Sequence, residues 1–331
     1  MKNLYHLKKI AFNYDNNIFI HDLDLEIARS KITCFIGPNG SGKTTLLNIL
    51  SFLNPPNSGV IFYDGNELRK DNIKTFRNTI GYVQQNPYLF RGTVYENIEI
   101  GLKLNHVNYE KRAQRIKKIL SLLRIENLSG RLSNSLSGGE IKKVAIGQTL
   151  VLEPNVLIMD EPFSNLDRNS IIELEELIIL LNIKFNKTII FTTHDQVQAQ
   201  KLTNLIFSLI EGRLFSAHFI NLFRGKFIGS TNKFDTGKQL MTICDSGKEA
   251  EYIAIDPRQI VLSLEKLDSS MQNSFFGRII EIEENDSNIK LNIDIGENIQ
   301  AIISHEAFNE LKLSLSMNVW VSFKSTSVMI F

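Results

Sequence analysis

The sequence predicts an α/β domain built on a mostly parallel sheet, followed by an all-β region. Three observations carry this. Short, mostly apolar runs alternate with amphipathic stretches up to about residue 215. Strands that alternate with helices imply a parallel sheet covered on both faces. A glycine-rich octapeptide, Gly37 to Thr44, lies between the first of these runs and a helical stretch. Beyond Leu214 the texture changes to two-residue alternation, which signals half-buried strands in a sheet or small barrel.

The elements follow in order. Ile32-Thr33-Cys34-Phe35-Ile36 reads as a buried strand, and Thr45 to Leu53 as a helix. Ile80 to Val83 is strand-like. Val156-Leu157-Ile158-Met159 and Thr188-Ile189-Ile190-Phe191 are further buried strands. Between them, Tyr109 to Leu123, Gly138 to Leu152 and Ser170 to Phe185 read as amphipathic helices. Alternation returns at Leu291 to Ile295 and Val319 to Phe323, interrupted by a helical insert at Ser304 to Leu313. The texture change places one boundary near 215–225 and a second junction near 265–272. The expected domains are therefore 1–215, 216–268 and 269–331.

Composition excludes several classes. A length of 331 residues suits two or three domains at roughly 100–200 residues each. With 43% hydrophobic and 22% charged residues the chain is neither disordered nor fibrous. Lys plus Arg is 37 against 36 for Asp plus Glu, a net charge of +1. A general phosphate-backbone binder needs massed cations, so no nucleic-acid partner is expected. The two cysteines, Cys34 and Cys244, stand far apart and form no disulfide framework or zinc cluster, which fits a reducing cytosol. No secretory signal is expected from the residues Met1 to Ile10, and stretches such as Leu46 to Leu53 and Ile171 to Ile183 are too short or too charged to span a bilayer. Any membrane part would come from another chain.

The chemistry begins at Gly37-Pro38-Asn39-Gly40-Ser41-Gly42-Lys43-Thr44, which fits G-x-x-x-x-G-K-[ST]. Its glycines let backbone N–H groups turn inward around a phosphate, and the following helix adds its positive end. Lys43 would reach the outer phosphates, and the Thr44 hydroxyl would bind Mg²⁺. The strand Val156 to Met159 ends in Asp160-Glu161. A carboxylate pair there suits metal-assisted hydrolysis, with Asp160 in the Mg²⁺ shell and Glu161 polarising the attacking water. Leu136-Ser137-Gly138-Gly139-Glu140 opens a helix, where a hydroxyl and two glycine amides favour an anion such as a γ-phosphate. Gln85 follows one strand, and His194 follows another.

Together these segments resemble the ATP-binding cassette (ABC) ATPases over residues 1 to about 215. In that resemblance Gly37–Thr44 is the Walker A loop, Gln85 the Q-loop and Leu136–Glu140 the signature. Val156–Glu161 is then Walker B, Ser164-Asn165-Leu166-Asp167 the D-loop and His194 the switch histidine. The fold it implies is a P-loop NTPase with an antiparallel N-terminal β subdomain and a helical signature subdomain. It implies ATP and Mg²⁺ as cofactors and catalytic roles for Lys43, Gln85, Glu161 and His194. Gly37, Pro38, Asn39, Gly40, Ser41, Gly42, Lys43, Thr44 and Thr45 would hold nucleotide. Tyr14 would stack on adenine; Ser137, Gly138, Gly139, Glu140 and Asp167 would complete the site, and Thr44, Gln85 and Asp160 would hold the metal. One cassette per chain implies a homodimer in which the Walker A loop of each copy faces the signature of the other. An integral membrane permease and an extracytoplasmic substrate-binding protein would complete the system. The chain would sit peripherally at the cytoplasmic face of the cell membrane.

The sequence departs from the family pattern in places. Lys142-Lys143-Val144-Ala145 and Gly147-Gln148-Thr149 stand where importers usually run Gln-Arg-Val-Ala and Ala-Arg-Ala. Gly147 is expected to weaken its helix by about 0.5–1 kcal/mol against Ala. Ala28-Arg29-Ser30-Lys31 occupies a turn where the family often has glycine.

The segment Tyr82 to Ile98 resembles the Q-loop region of tungstate and molybdate importers, which meets the permease. Ile253 to Ile260 resembles a TOBE strand-turn. Ser269-Ser270-Met271-Gln272-Asn273 with Gly277, and Lys324-Ser325-Thr326-Ser327-Val328, resemble the signature segments of molybdate-binding Mop units, with Gln272 where Arg is usual. A tetrahedral dianion needs hydrogen-bond donors, and Ser270, Asn273, Lys324 and Ser327 are suitable ones. The same residues also favour ordinary turns. The expected cargo is tungstate or molybdate, sensed at this C-terminal region. Sulfate, ferric iron, polyamine or sugar import is the alternative, and an anion-responsive regulatory protein without transport is a second one.

Overall fold

The computed structural model describes residues 3–14, 17–210, 212–216, 221–229, 231–244, 250, 252–285 and 288–330. The chain divides into two compact units, Met1–His218 and Phe219–Phe331.

In the first unit the buried apolar runs form the centre of a six-stranded sheet. Its order is Arg213–Ser216, Ile206–Ile210, Ile32–Ile36, Thr188–Thr193, Val156–Met159, Ile80–Val83. All neighbours pair parallel except the Arg213–Ser216 edge, which is antiparallel. Successive side chains of a strand point to opposite faces, so each central strand feeds two cores. Cys34, Ile36, Leu157, Met159, Ile189 and Phe191 face one core, shared with Ile98, Ile119, Val144 and Ile178 from the covering helices. Phe35, Val156, Ile158 and Ile190 face the other, with Leu46, Leu47 and Leu50 of the helix Lys43–Leu50. That second core continues into an antiparallel sheet of order Asn17–Ala28, Asn3–Tyr14, Ser58–Tyr63, Asn66–Glu67.

The predicted helices form at Tyr109–Leu122, Gly138–Leu150 and Arg168–Phe185, and a further helix spans Val94–Leu104. Their starts are written in the sequence. Ser137 and Thr93 each accept from the backbone of a glutamate three residues on, which returns a bond to the cap's own N–H. This satisfies two of the donors that a helix start leaves open. Asn186, in left-handed conformation at φ 50°, ends Arg168–Phe185. Ser30 adopts φ 55° in the turn before the first parallel strand, the conformation that the family's glycine supplies at no cost.

The second unit is all-β apart from short helical segments. Its sheets are Asn221–Arg224/Tyr252–Ile255/Val328–Ile330, Lys226–Phe227/Lys233–Asp235/Leu240–Thr242, and a five-stranded sheet. The last has the order Val261–Ser263, Asn318–Phe323, Asn273–Asn285, Asn288–Asp294, Asn298–Ile303. One core unites them, including Phe234, Ile253, Leu262, Ile279, Leu291, Val321 and Phe323. The junction expected near 265–272 runs through this core, because Val261–Ser263 pairs with Asn318–Phe323 and Tyr252–Ile255 with Val328–Ile330. The helical insert is the single short helix His305–Glu310, capped by Ser304.

Candidate active site

Parallel strands converge on one cavity. The loop after Ile32–Ile36 carries Gly37 to Gly42, and Gln85, Asp160–Glu161 and His194 follow the ends of three other strands. In open α/β sheets the carboxyl ends of strands are where ligands bind. The cavity, of about 360 Å³, is lined by Phe19, Asn39, Gly40, Gly42, Lys43, Thr44, Thr45, Gln85, Asp160 and Glu161.

The loop geometry fits phosphate. Gly37 has φ 155°, and a Cβ there would lie 2.1 Å from the Leu209 carbonyl oxygen, so only glycine fits. Gly42, at φ 99°, caps the helix Lys43–Leu50 without a side-chain bond, leaving its first amides for a ligand. Lys43 is buried; its Nζ donates to the Gly37 and Pro38 carbonyls at 2.8 and 3.1 Å and lies 3.6 Å from Glu161 Oε1.

The two carboxylates are held differently. Asp160 accepts from the Thr44 hydroxyl at 2.7 Å on one oxygen and from the Thr192 hydroxyl at 2.7 Å on the other. Thr192 also accepts from the Glu161 backbone N–H at 2.8 Å. Glu161 itself has φ 42°, a left-handed conformation that costs a non-glycine residue about 1–3 kcal/mol and persists only where its surroundings over-determine it. Its carbonyl accepts from the Ser164 hydroxyl at 2.9 Å, the Ser164 N–H at 3.2 Å and Lys142 Nζ at 3.4 Å. Its Oε2 lies 3.0 Å from His194 Nδ1. Burial pushes the Tyr82 hydroxyl and the Cys34 thiol up, helped by the charges of Asp160 and Glu161 respectively, so both stay protonated and neither is a nucleophile.

Mg²⁺ wants hard oxygen ligands in octahedral array at about 2.0–2.1 Å, which sets adjacent ligands about 3 Å apart. Thr44 Oγ1 and Asp160 Oδ2 already stand 2.7 Å apart. Ser41 Oγ and Glu161 Oε1 are buried without a hydrogen-bond partner, and a triphosphate and its attacking water would supply partners. The donor set therefore fits Mg-nucleotide.

The predicted site residues fall into two clusters. Residues 37–45, Gln85, Asp160, Glu161 and His194 form the cavity cluster. Ser137, Gly138, Gly139, Glu140 and Asp167 form another. A Cβ on Gly139 would lie 2.8 Å from Ser170 Oγ, and one on Gly138 3.8 Å from the Asn165 carbonyl. Asp167 caps Arg168–Phe185 through the N–H groups of Asn169 and Ser170 and accepts from the Ser170 hydroxyl. These bonds hold its carboxyl below the usual range. None of residues 136–140 lines the cavity of their own chain. The Tyr14 side chain lies outside the described residues; Phe19 is an aromatic wall of the cavity.

The roles of three residues escaped the sequence, which marked Lys142 and Gly147 only as departures from the family pattern. Thr192 ties Asp160 to Glu161. Lys142 ties the signature helix to the loops of Gln85 and Glu161. Gly147 is a packing requirement: a Cβ would meet Leu123, Ile98 and Ile119 at 2.9, 3.2 and 3.3 Å. A threonine near the end of a strand and a lysine in a helix give no signal before the contacts are known.

In the second unit, Asn273 pairs with Phe323 across the sheet, which sets Ser269–Asn273 beside Lys324–Ser327. Ser270 and Lys324 are exposed, and the Ser327 hydroxyl lies 3.4 Å from Gln259 Oε1. Asn273 departs from its expected role. It is buried, its Oδ1 accepts from Thr242 N–H at 2.7 Å and its Nδ2 donates to the Thr242 carbonyl at 2.8 Å. Buried amides must be satisfied; this one spends its groups on backbone rather than on an anion.

The fold and cavity define a P-loop ATPase that takes ATP with Mg²⁺. The family described as ABC transporter matches residues 20–164, and the TOBE domain family matches residues 269–330, the segment whose turns resemble Mop units. The molybdate/tungstate import ATP-binding protein of Pyrococcus abyssi is 30% identical over 94% of this chain and 96% of that protein. The Fe(3+) import ATP-binding protein of Vibrio cholerae is 30% identical over 85% and 87%. The sulfate/thiosulfate import ATP-binding protein of Mesostigma viride is 30% identical over 96% of each. Among solved structures, cbiO1 of Clostridium perfringens superposes with a TM-score of 0.61 at 30% identity, covering 65% of this chain and 88% of that one. A dimeric cassette bound to ADP and phosphate gives 0.58 at 28% identity, covering 63% and 96%. The chain belongs to the ABC transporter family, as an importer ATP-binding subunit with ATPase activity and a C-terminal TOBE domain.

Proposed function

We propose that this chain is the ATPase of an oxyanion importer, for tungstate or molybdate, working as a homodimer on a separate membrane permease. The single observation that carries the catalytic part is Glu161. Its carboxylate is buried between Lys43 and His194 on a backbone held by four hydrogen bonds to three residues, which suits a base that must polarise one water. Thr44, Asp160 and Gln85 would hold Mg²⁺, whose charge, when bound, offsets that of the phosphates. Lys43 and the amides of residues 37–44 would orient the triphosphate, and His194 would hold Glu161 in place. Ser137 and Gly139 open a capped helix away from their own cavity, which supports their completing the second copy's site. The dimeric cassette structure supports a dimer of cassettes. The chain would attach to the cytoplasmic face through the permease, fed by an extracytoplasmic binding protein. Among the described residues no helix is long and apolar enough to cross a membrane.

The cargo rests on the paired segments Ser269–Asn273 and Lys324–Ser327, where Ser270, Lys324 and Ser327 remain suitable donors. The alternative cargoes are sulfate and ferric iron, whose import proteins are as similar to this chain as the molybdate/tungstate one. Calorimetric titration of the full chain with tungstate, molybdate and sulfate at fixed salt tests the reading. Binding of tungstate or molybdate with sulfate silent is expected; binding of sulfate alone moves the cargo to the alternative. For the ATPase roles, Glu161→Gln is expected to abolish turnover and retain ATP-bound dimers. Unchanged turnover would remove Glu161 from the base role.

A further inference from the structure

We infer that Lys142 is a positioning residue that couples the two ATP sites of the dimer. The residue is 5% exposed, on the signature helix Gly138–Leu150. It donates to the Gln85 carbonyl at 2.8 Å and the Glu161 carbonyl at 3.4 Å. One side chain thus bridges three segments: the signature helix, the loop after Ile80–Val83 and the loop after Val156–Met159.

A buried charge is retained only where it is paired or hydrogen-bonded. Here desolvation lowers the affinity of the amine for its proton, while the charges of Asp160 and Glu161 oppose that. Bonds from a charged donor are shorter and stronger than neutral ones, so the bridge is stiff. Glu161 needs such stiffness, because its left-handed backbone holds only while its ties hold.

The helix that carries Lys142 begins five residues earlier at its cap, Ser137, about 7.5 Å along the axis. This step rests on the head-to-tail dimer proposed above, in which Ser137 meets the nucleotide of the other copy. A shift of the helix on that nucleotide then moves Lys142, and with it the backbones of Gln85 and Glu161 at the other site. Lys142 does not line the cavity; it acts through Gln85 and Glu161, which do.

The test uses the full-length chain and steady-state ATP hydrolysis over a range of ATP concentrations. Lys142→Met keeps the length and removes the donors. It is expected to lower kcat about tenfold, leave half-saturating ATP within about twofold and bring the Hill coefficient to about 1. Lys142→Gln keeps a neutral donor too short to span both carbonyls, and its kcat and Hill coefficient are expected to fall between the two. A Lys142→Met enzyme with wild-type kcat and Hill coefficient overturns the inference. So does a loss of kcat that is equal in both variants with cooperativity intact, because that is mere structural damage. If Lys142→Met does not fold, a Lys142→Gln enzyme indistinguishable from wild type overturns it. Glu161→Gln separates the two levels. If that variant fails to dimerise with ATP, the head-to-tail reading falls. If it dimerises and Lys142→Met keeps wild-type cooperativity, only the coupling role falls.

Discussion

Thr192→Val isolates what a single hydroxyl does between the two carboxylates, Asp160 and Glu161, proposed as metal ligand and base. The Thr192 side chain is fully buried. Its hydroxyl donates to Asp160 Oδ1 at 2.7 Å and accepts from the Glu161 N–H at 2.8 Å. Valine fills the same volume, so no cavity is created. The bond to a carboxylate contributes about 1.5–3 kcal/mol, and an orphaned buried N–H costs about 1–3 kcal/mol. Relaxation of the strained Glu161 backbone returns part of this, up to about 1–3 kcal/mol, but moves the base from its post. The expected net loss is about 2–4 kcal/mol of stability in the first unit. If Glu161 is the base proposed above, its drift forfeits part of a contribution of about 10²–10⁴, so kcat should fall about a hundredfold. Thr192→Ser keeps the hydroxyl and should recover most of both. Urea denaturation followed by far-ultraviolet circular dichroism reads the first quantity, since the long helices all lie in that unit. ATP hydrolysis reads the second. A valine variant within about 1 kcal/mol of wild type at unchanged kcat would refute the reasoning, as would a serine variant as damaged as valine.

Three further outcomes follow from the same geometry. His194→Ala frees Glu161 Oε2 and should lower kcat about a hundredfold with half-saturating ATP little changed, read by steady-state kinetics. Gly147→Ala gains about 1 kcal/mol of helix propensity but forces a methyl against Leu123, Ile98 and Ile119, an overpacking cost of about 1–3 kcal/mol; denaturation should show a net loss, and a gain would mean that the three side chains yield freely. The Ser137 backbone bond chiefly holds the Glu140 carboxyl below its usual range, so its stabilisation is complete above the unfolded pKa and is lost as pH falls through the folded one. Wild type should therefore exceed Glu140→Gln in stability near neutrality, and the gap should close as pH falls below about 4.3.

The parallel sheet was legible because its central strands are buried on both faces and read as mostly apolar runs without polar alternation. The cavity was legible because the glycine loop, Asp160, Glu161 and His194 are each fixed by chemistry to a strand end. The antiparallel N-terminal sheet came only with the family resemblance, since its strands Asn3–Tyr14 and Asn17–Ala28 pair through several register shifts that blur their period. In the second unit, residue type misled. Asn273 looks like an anion donor in sequence, yet register buries it against Thr242, and no local pattern foretells that partner. The roles of Thr192 and Lys142 were invisible for the same reason: they lie wholly in contacts between segments far apart in the chain.

The departures of the signature helix make physical sense as one set. Gly147 removes a methyl, and Ile98, Ile119 and Leu123 close in on the helix from two neighbouring helices and the end of one. Gln148 then reaches Asn97 at 3.2 Å, and Asn97 in turn clamps the backbone of Phe90 in both directions. Lys142, on the same helix, holds the Gln85 carbonyl. The segment from Gln85 to Phe90 is thus fastened to this helix at both ends. Tyr88 and Phe90 project from it into solvent as an edge-on aromatic pair. A long arginine at 148 would bring a planar charge to a buried amide that already spends its groups on backbone, and burying an unpaired charge costs more than the hydrogen bond returns. The close approach set by Gly147 and the neutral, shorter Gln148 are therefore compatible with each other. Restoring arginine at 148 alone should destabilise the Phe90 segment.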